Sequence, residues 1–338
     1  MSRMRAILVR NGAGGVESLY LGEVQKPVPS AEEVVVKIKA FGLNRMDISQ
    51  RQGKYPPPHG VTDILGVEFS GVVAEVGSGV TQWTAGDEVL GLAGGGAYAE
   101  FIKIPETHVI RKPSHLSWTE AASIPENWLT AFQALVVIGQ VKEKEDVMVH
   151  AAASGVGVSA IQLARFYGAN HVIATASTKE KLDLLLSLPG GATHAVNYKT
   201  QDFAEEVKKI TLGKGVDVVI DFVGQSHWEK NITSLATDGR MTILSLLSGA
   251  DVSNFSLIPL LYKRLHIEGS TLRARSVQYQ TDLINRFKTD VFDHITGGSG
   301  NGRLRTYIHK VYPWTDIQDA HKEMEENKNS GKIIAEVV

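Results

Sequence analysis

Residues 146–158 read Asp-Val-Met-Val-His-Ala-Ala-Ala-Ser-Gly-Val-Gly-Val. An apolar strand runs into a small-residue turn, and a helix follows. Such a turn lets a pyrophosphate lie against bare backbone, where free N–H groups and the helix dipole favour negative charge. Ser154, Gly155, Val156 and Gly157 are the residues that would line it. Ala152 and Ser154 stand where the first two glycines of a G-x-G-x-x-G pattern would be, and Gly157 keeps the third. The pattern alone is weak, and its βαβ context strengthens it. Strand Val147–His150 leads into a helix with apolar residues at Val158, Ile161, Leu163, Ala164 and Phe166. Gly168 suits a left-handed cap, and a second strand follows at His171–Thr175.

The residue that meets the ribose 2′-hydroxyl in NAD-preferring folds is an Asp or Glu about 20 positions beyond the glycines. Here that region reads Thr175-Ala176-Ser177-Thr178-Lys179-Glu180-Lys181. The strand tip carries no acid; hydroxyls and lysines follow. A carboxylate there would repel a 2′-phosphate, whereas Ser177, Thr178 and Lys181 would bind it. The reading is NADPH over NADH. The plainer alternative is a helix start with Ser177 or Thr178 as N-cap and solvated lysines.

The strands and helices that must position these groups follow from the rest of the chain. At 338 residues, with roughly 150 per domain as a prior, two domains are expected. Apolar content of 43% and charged content of 21% suit a globular protein with a large core. A net charge of −2 gives no support for nucleic-acid or membrane-surface binding. No apolar run approaches the roughly 20 residues of a membrane span, and the apolar stretch at Ala6–Val9 is too short for a signal peptide. There are no cysteines, so disulfides, thiolate ligands and a Cys nucleophile are excluded. A cytoplasmic location is compatible with that usage.

Short β-patterned runs fill the first 120 residues: Ala6–Val9, Val34–Ala40, Val72–Val76, Glu88–Gly91, Ala97–Ile104 and His108–Arg111. This predicts a β-barrel. Ser117-Trp118-Thr119-Glu120 is a capping box that opens a short helix ended by Pro125. Leu129–Ile138 reads as an apolar helix. Six strands then alternate with helices: Asp146–His150, His171–Thr175, Ala195–Asn197, Val216–Asp221, Arg240–Leu244 and Leu265–Glu268. That alternation predicts a doubly wound parallel sheet. Helices at Val277–Phe287 and Asp316–Glu326 and strands at Arg305–Val311 and Lys332–Val338 complete the chain. The expected division is residues 1–125 as a catalytic domain, 126–269 as a nucleotide-binding domain, and 270–338 as a return to the first.

Several motifs resemble the medium-chain dehydrogenase/reductase superfamily over essentially the whole chain, and within it the zinc-free quinone oxidoreductase family. They are Leu43-Asn44-Arg45-Met46-Asp47, Arg51-Gln52-Gly53-Lys54-Tyr55-Pro56, Leu65-Gly66-Val67-Glu68-Phe69-Ser70-Gly71, Ala122-Ser123-Ile124-Pro125-Glu126-Asn127-Trp128-Leu129-Thr130-Ala131, and the nucleotide turn. Trp228-Glu229-Lys230-Asn231 and residues 325–332 resemble its tumour-suppressor-inducible branch. The resemblance implies a GroES-like β-barrel catalytic domain, a Rossmann domain that binds NADPH, and a homodimer.

Zinc enzymes of this superfamily place a Cys at the first ligand and a His in Gly-His-Glu. Here Asn44-Arg45-Met46-Asp47 and Gly66-Val67-Glu68 stand in those regions, so no metal is expected. Without a Lewis acid, alcohol oxidation loses its usual driver, while an electrophilic quinone or enone accepts hydride with little help beyond positioning. The resemblance assigns Asn44 as a donor to the acceptor carbonyl, Tyr55 as the aromatic over the cleft, and Thr130 as a neighbour of the nicotinamide. It gives Lys181 and Tyr198 to the 2′-phosphate. Ser245, Leu246 and Leu247, just past a strand end, would run along the nicotinamide, and Asn327 and Asn329 would close over the cofactor. Each has a plainer reading: Asn44 as a turn residue, Tyr55 as a loop aromatic, Thr130 as a helix residue, the two asparagines as a helix C-cap. Arg273 and Arg275 could reach the cofactor or a dimer surface. The expected activity is NADPH-dependent reduction of quinones. The alternatives are an alkenal/enone reductase, or an NADPH-binding, crystallin-like protein with little turnover.

Overall fold

The structure is a computed structural model that describes residues 2–338. It divides into two compact units. One holds the chain up to Glu126 with Leu272–Asn301 and Arg305–Val338; the other holds Asn127–Thr271 with Gly302–Leu304.

The second unit is a six-stranded sheet whose pairings are all parallel. Across the sheet the strands run His194–Asn197, Val172–Ala176, Val147–Val149, Val216–Asp221, Leu235–Ile243 and His266–Gly269. In chain order that is 3-2-1-4-5-6, the doubly wound arrangement expected. Met148, Ile173 and Val219 are fully buried, as strands covered on both faces require. The fifth strand starts at Leu235 rather than at Arg240, through a register shift opposite Val216–Val218. The apolar segment Leu129–Ile138 is not one regular helix. An α-helix, Pro125–Phe132, widens into a π-helical stretch, Gln133–Ile138, where the Gly139 N–H reaches the Ala134 carbonyl at 2.9 Å.

The first unit is built on strand Glu33–Gly42. One of its edges takes Glu68–Val76, which in turn takes Glu88–Leu92 and then Val109–Arg111. Phe101–Pro105 pairs with residues 33–37, and the last strand, Lys332–Glu336, pairs with residues 40–42. Ile308–Pro313 runs parallel beside that last strand. Phe41, Phe69, Tyr98 and Trp314 fill the core between these strands and helix Ile317–Glu325. Two expectations need correction. Leu19–Gln25 is a strand, paired with Arg3–Val9, that sequence reading passed over because its mostly exposed face carries no apolar alternation. The run Arg305–Val311 is two strands, Leu304–Arg305 and Ile308–Pro313. The Ser117 capping box is present: the Ser117 hydroxyl accepts from the Glu120 N–H and the Glu120 carboxylate from the Ser117 N–H.

Candidate functional site

In the first unit, the end of strand Glu33–Gly42, the start of Glu68–Val76 and the start of Lys332–Glu336 meet. Asn44 then caps helix Arg45–Arg51, with its N–H donating to the Asp47 carboxylate at 2.8 Å. Lys332 is buried with all three ammonium hydrogens engaged. It donates to the Leu43 carbonyl at 2.8 Å, to Asn44 Oδ1 at 2.9 Å and to Glu68 Oε1. Asn44 Nδ2 donates to the same Glu68 oxygen at 2.9 Å, and the other carboxylate oxygen accepts the Glu126 N–H at 2.8 Å. Gly42 is bare because a Cβ there would strike the Glu68 carboxylate. Sequence reading treated the Asn44 amide as a donor aimed at substrate. The structure engages both of its ends internally and leaves one Nδ2 hydrogen. Lys332 was not foreseen, because 288 positions separate it from Asn44.

A second buried chain runs from Asp47. The Arg51 guanidinium can only donate, so His321 Nδ1, 3.2 Å away, accepts. Nε2 therefore carries the proton and donates to the Tyr98 hydroxyl at 3.1 Å, and Tyr98 donates to Asp47 Oδ2 at 3.2 Å. Burial pushes the Asp47 carboxyl up to about 6 against the pull of the Asn44 N–H and of Lys332. Burial and the Arg51 charge push His321 down to about 3. Arg51 also pairs with Glu325.

Tyr55 lies half-buried in the segment after this helix, and the Arg273 guanidinium carbon stands 5.7 Å from its ring centre. Burial lowers the Arg273 pKa, opposed by Asp47, Tyr55 and Glu126. The asparagines near the C-terminus act locally. Asn327 takes a left-handed φ of 54° after helix Ile317–Glu325 and accepts from Arg45 at 2.6 Å, and Asn329 Nδ2 donates to the Gly331 carbonyl at 2.9 Å.

In the second unit, strand Val147–Val149 leads through Ala151, with φ 43°, into helix Gly155–Phe166. Ser154 is the N-cap, its hydroxyl accepting the Gly157 N–H at 3.1 Å. The N–H groups of Gly155 and Val156 remain outside the intrahelical ladder. Gly157 permits the close packing: a Cβ there would come within 2.5 Å of the Ala152 carbonyl oxygen. Beneath the turn, His150 accepts from the Thr175 hydroxyl at 2.8 Å and donates to Asn231 Oδ1 at 2.7 Å. Burial holds His150, and its neighbour His227, down to about 4.

Most of the residues expected to meet the cofactor in this unit lie at or just beyond the C-terminal ends of its strands. The Ala152 N–H bonds the Thr175 carbonyl at 3.1 Å, which joins the turn to the next strand end. Ser177 and Tyr198 leave adjacent strands, with the Tyr198 N–H on the Ala176 carbonyl at 3.3 Å. The Tyr198 ring packs 5.4 Å from that of His227. Thr178 is the N-cap of helix Lys179–Ser187, accepting from the Lys181 N–H at 3.4 Å and bonding Glu180. Its hydroxyl is therefore committed locally; Ser177 before it and Lys181 after it are half-buried. Ser245, Leu246 and Leu247 follow strand Leu235–Ile243, tied to its neighbour by the Leu247 N–H on the Phe222 carbonyl at 3.1 Å. Leu246 and Leu247 are about half exposed, at 49% and 55%. Thr130 lies on helix Pro125–Phe132 and is half-buried.

The Alcohol dehydrogenase GroES-like domain family matches residues 30–114, and the Zinc-binding dehydrogenase family matches residues 155–289. Quinone oxidoreductase 1 of Escherichia coli (strain K12) is 33% identical, over 95% of this chain and 96% of its own. The chain belongs to the quinone oxidoreductase family of the medium-chain dehydrogenases/reductases. The 2-haloacrylate reductase of a Burkholderia species is also 33% identical, again over 95% and 96% of the two chains. The synaptic vesicle membrane protein VAT-1 homolog of Danio rerio is 34% identical over 97% of this chain and 69% of its own. As an oxidoreductase of this family the protein uses a nicotinamide cofactor, and the bare turn before Gly157 fits a dinucleotide pyrophosphate. Zinc does not fit. Glu68 is bonded to the Lys332 ammonium, and among the described residues no three His, Cys, Asp or Glu side chains stand together as a metal set. No helix among them is long and apolar enough to cross a membrane.

Proposed function

We propose that this protein is a metal-independent, NADPH-dependent quinone reductase of the cytoplasm, with the first unit receiving the acceptor and the second the cofactor. The observation that carries the reading is the nucleotide turn together with an adjacent strand end, Val172–Ala176, that has no acid at its tip and is followed by Ser177 and, in the first turn of the next helix, Lys181. A nicotinamide held there would supply hydride chemistry toward an electrophilic carbon or oxygen, with solvent supplying the balancing proton. The protein's part is positioning. Ser154 and the N–H groups of Gly155 and Val156 seat the pyrophosphate; Ser245 to Leu247 and Thr130 flank the nicotinamide; Tyr55 offers a ring face to a planar acceptor. Asn44, held by Lys332 and Glu68, has one amide hydrogen left for an acceptor oxygen. Asn329, whose amide already bonds the Gly331 carbonyl, would reach the cofactor only through its remaining hydrogen.

The similarity to a 2-haloacrylate reductase supports a second reading on the same scaffold, reduction of an activated C=C bond. Steady-state rates with NADPH or NADH against a panel of quinones and enones separate the two, and no turnover with any acceptor leaves a cofactor-binding protein. One charge-assisted phosphate contact is worth on the order of 1.5–3 kcal/mol, so NADPH should be preferred roughly 10- to 100-fold, and Lys181→Ala should erase most of that preference. Equal kcat/KM for the two cofactors would sink the NADPH assignment. A homodimer is part of the proposal. Strand His266–Gly269 is one of the two edges of the parallel sheet, and Leu257, Ile258, Leu261 and Tyr262, just before it in the chain, are 61–75% exposed. Leu261→Glu should yield monomers in sedimentation, and wild-type protein sedimenting as a monomer would refute it.

A further inference from the structure

Arg273 enters the first unit near the head of the segment that begins at Leu272. It is 5% exposed, and its Nε donates to the Gly94 carbonyl at 2.5 Å. Neither Nη1 nor Nη2 has a hydrogen-bond partner; Asp47 and Glu126 act on the guanidinium through space, but no carboxylate pairs with it among the described residues. A buried guanidinium with both terminal nitrogens unmatched is destabilising by itself, since desolvated donors and an unpaired charge both carry a large penalty. The backbone that carries it is fixed. Gln280 Nε2 lies 3.0, 3.4 and 3.2 Å from the carbonyls of Leu272, Arg273 and Arg275. The fork therefore holds its place without a ligand to order it. Its terminal nitrogens match a planar pair of oxygens better than a single carbonyl. The Tyr55 ring centre stands 5.7 Å from the guanidinium carbon, on a largely exposed segment of irregular backbone.

We propose that Arg273 binds a carboxylate carried by the acceptor, so that the protein selects anionic acceptors over neutral ones whose ring or double bond is otherwise the same. This rests on the reductase reading for its substrate and deepens it. Phosphate oxygens of the cofactor share the same chemistry, and the test separates the two sources.

The experiment compares kcat/KM for a benzoquinone carboxylate with that for its carboxamide. It also measures the Kd of 4-hydroxybenzoate against 4-hydroxybenzamide, which needs no turnover. Wild-type protein should prefer the carboxylate in both assays by roughly 10- to 100-fold. Arg273→Gln should abolish the preference, and Arg273→Lys, which keeps the charge but not the fork, should retain part of it. Because Nε anchors Gly94, folding of each variant is checked by circular dichroism; if Arg273→Gln does not fold, the wild-type pairs and Arg273→Lys decide. Equal treatment of carboxylate and amide by the wild type overturns the proposal. So does a weakening of the NADPH Kd in Arg273→Gln, without acceptor, that matches the loss for the benzoate, because the oxyanion would then be the cofactor's. Benzoate binding without reduction of any acceptor refutes the reductase reading and leaves the Arg273 site standing.

Discussion

The nucleotide turn and the Lys332–Asn44–Glu68 cluster hold polar groups in place by opposite means. At the turn, the groups suited to a ligand are backbone N–H groups at a helix start, and side chains are kept out: Ala152 and Gly157 pack too closely for a Cβ at 157. In the cluster, charged side chains are fully buried and hold one another. Lys332 uses every donor it has, and Glu68 accepts from Lys332, Asn44 and Glu126. The first device leaves donors over for a ligand. The second consumes nearly all of its donors internally and fixes the geometry of what remains, one hydrogen of Asn44. A buried pair of this kind is poor evidence for added stability, because desolvation offsets the attraction. It is strong evidence for intolerance of any change that leaves one member alone.

The largest expected effect follows from that asymmetry. Lys332→Met leaves the Glu68 carboxylate buried beside an unpaired Asn44 Oδ1, and should cost about 3–5 kcal/mol in urea unfolding. The double change Lys332→Met, Glu68→Leu removes both charges and should recover a large part of the loss. A single variant that unfolds at the wild-type midpoint would mean that the ammonium contributes nothing to holding Asn44.

The same contrast explains what could be read from the chain. The turn is contiguous, and its strand, helix, cap and glycine all fall within residues 146–168, so local pattern sufficed. The inner parallel strands, such as Val147–Val149, Val172–Ala176 and Val216–Asp221, were legible because both faces are buried and their apolar runs are nearly unbroken, and the alternation with helices marked the rest. The cluster joins residues 44, 68 and 332, and the Asp47 chain joins 47, 98, 51 and 321; no local pattern marks a lysine or a histidine as buried. The Arg273 fork was singled out by motif, yet its unmatched nitrogens are a property of packing alone. Strand Leu19–Gln25 was missed for a different reason, since an exposed edge leaves no periodicity to detect.

At the turn, Gly157→Ala places a Cβ against backbone atoms of Ala151 and Ala152 rather than against a side chain that could move aside. Overpacking of this kind costs about 1–3 kcal/mol. The helix start should shift, so NADPH titration by fluorescence should show weakened binding beyond the stability loss. Unchanged affinity in a folded variant would detach the turn from the cofactor.

Acid sharpens the comparison further. His321 is held at about 3 in the folded protein, against an ordinary 6.5 unfolded. The unfolded chain therefore takes up the proton first, and stability present above pH 6.5 is lost as pH falls toward 3. At pH 5.5 that one group accounts for about 1.4 kcal/mol. Asp47 works the other way. Its folded value of about 6 lies above the unfolded one, so its contribution is full below about pH 4 and is lost as pH rises through 6. Urea midpoints of wild type and His321→Gln between pH 7.5 and 5.5 should converge, because the variant has lower stability at neutral pH but lacks this proton uptake. Parallel curves would mean that His321 is not held neutral by its burial beside Arg51.

The smallest effect is expected at Tyr55, which belongs to neither device. Its ring is half-buried, over Arg273, in irregular backbone. Stacking against a planar quinone is worth about 0.5–1.5 kcal/mol beyond area burial, so Tyr55→Ala should lower kcat/KM for an uncharged quinone by roughly 3- to 10-fold. Tyr55→Phe keeps the ring and should stay within about a factor of three of wild type, because one neutral hydrogen bond contributes little net free energy. A fall on the order of 10⁴ in kcat for the Phe variant would make the phenol an obligatory proton donor, since loss of positioning cannot reach that size. Positioning would then no longer be the whole contribution of the first unit, and the comparison drawn between the two devices would have to include a third, chemical one.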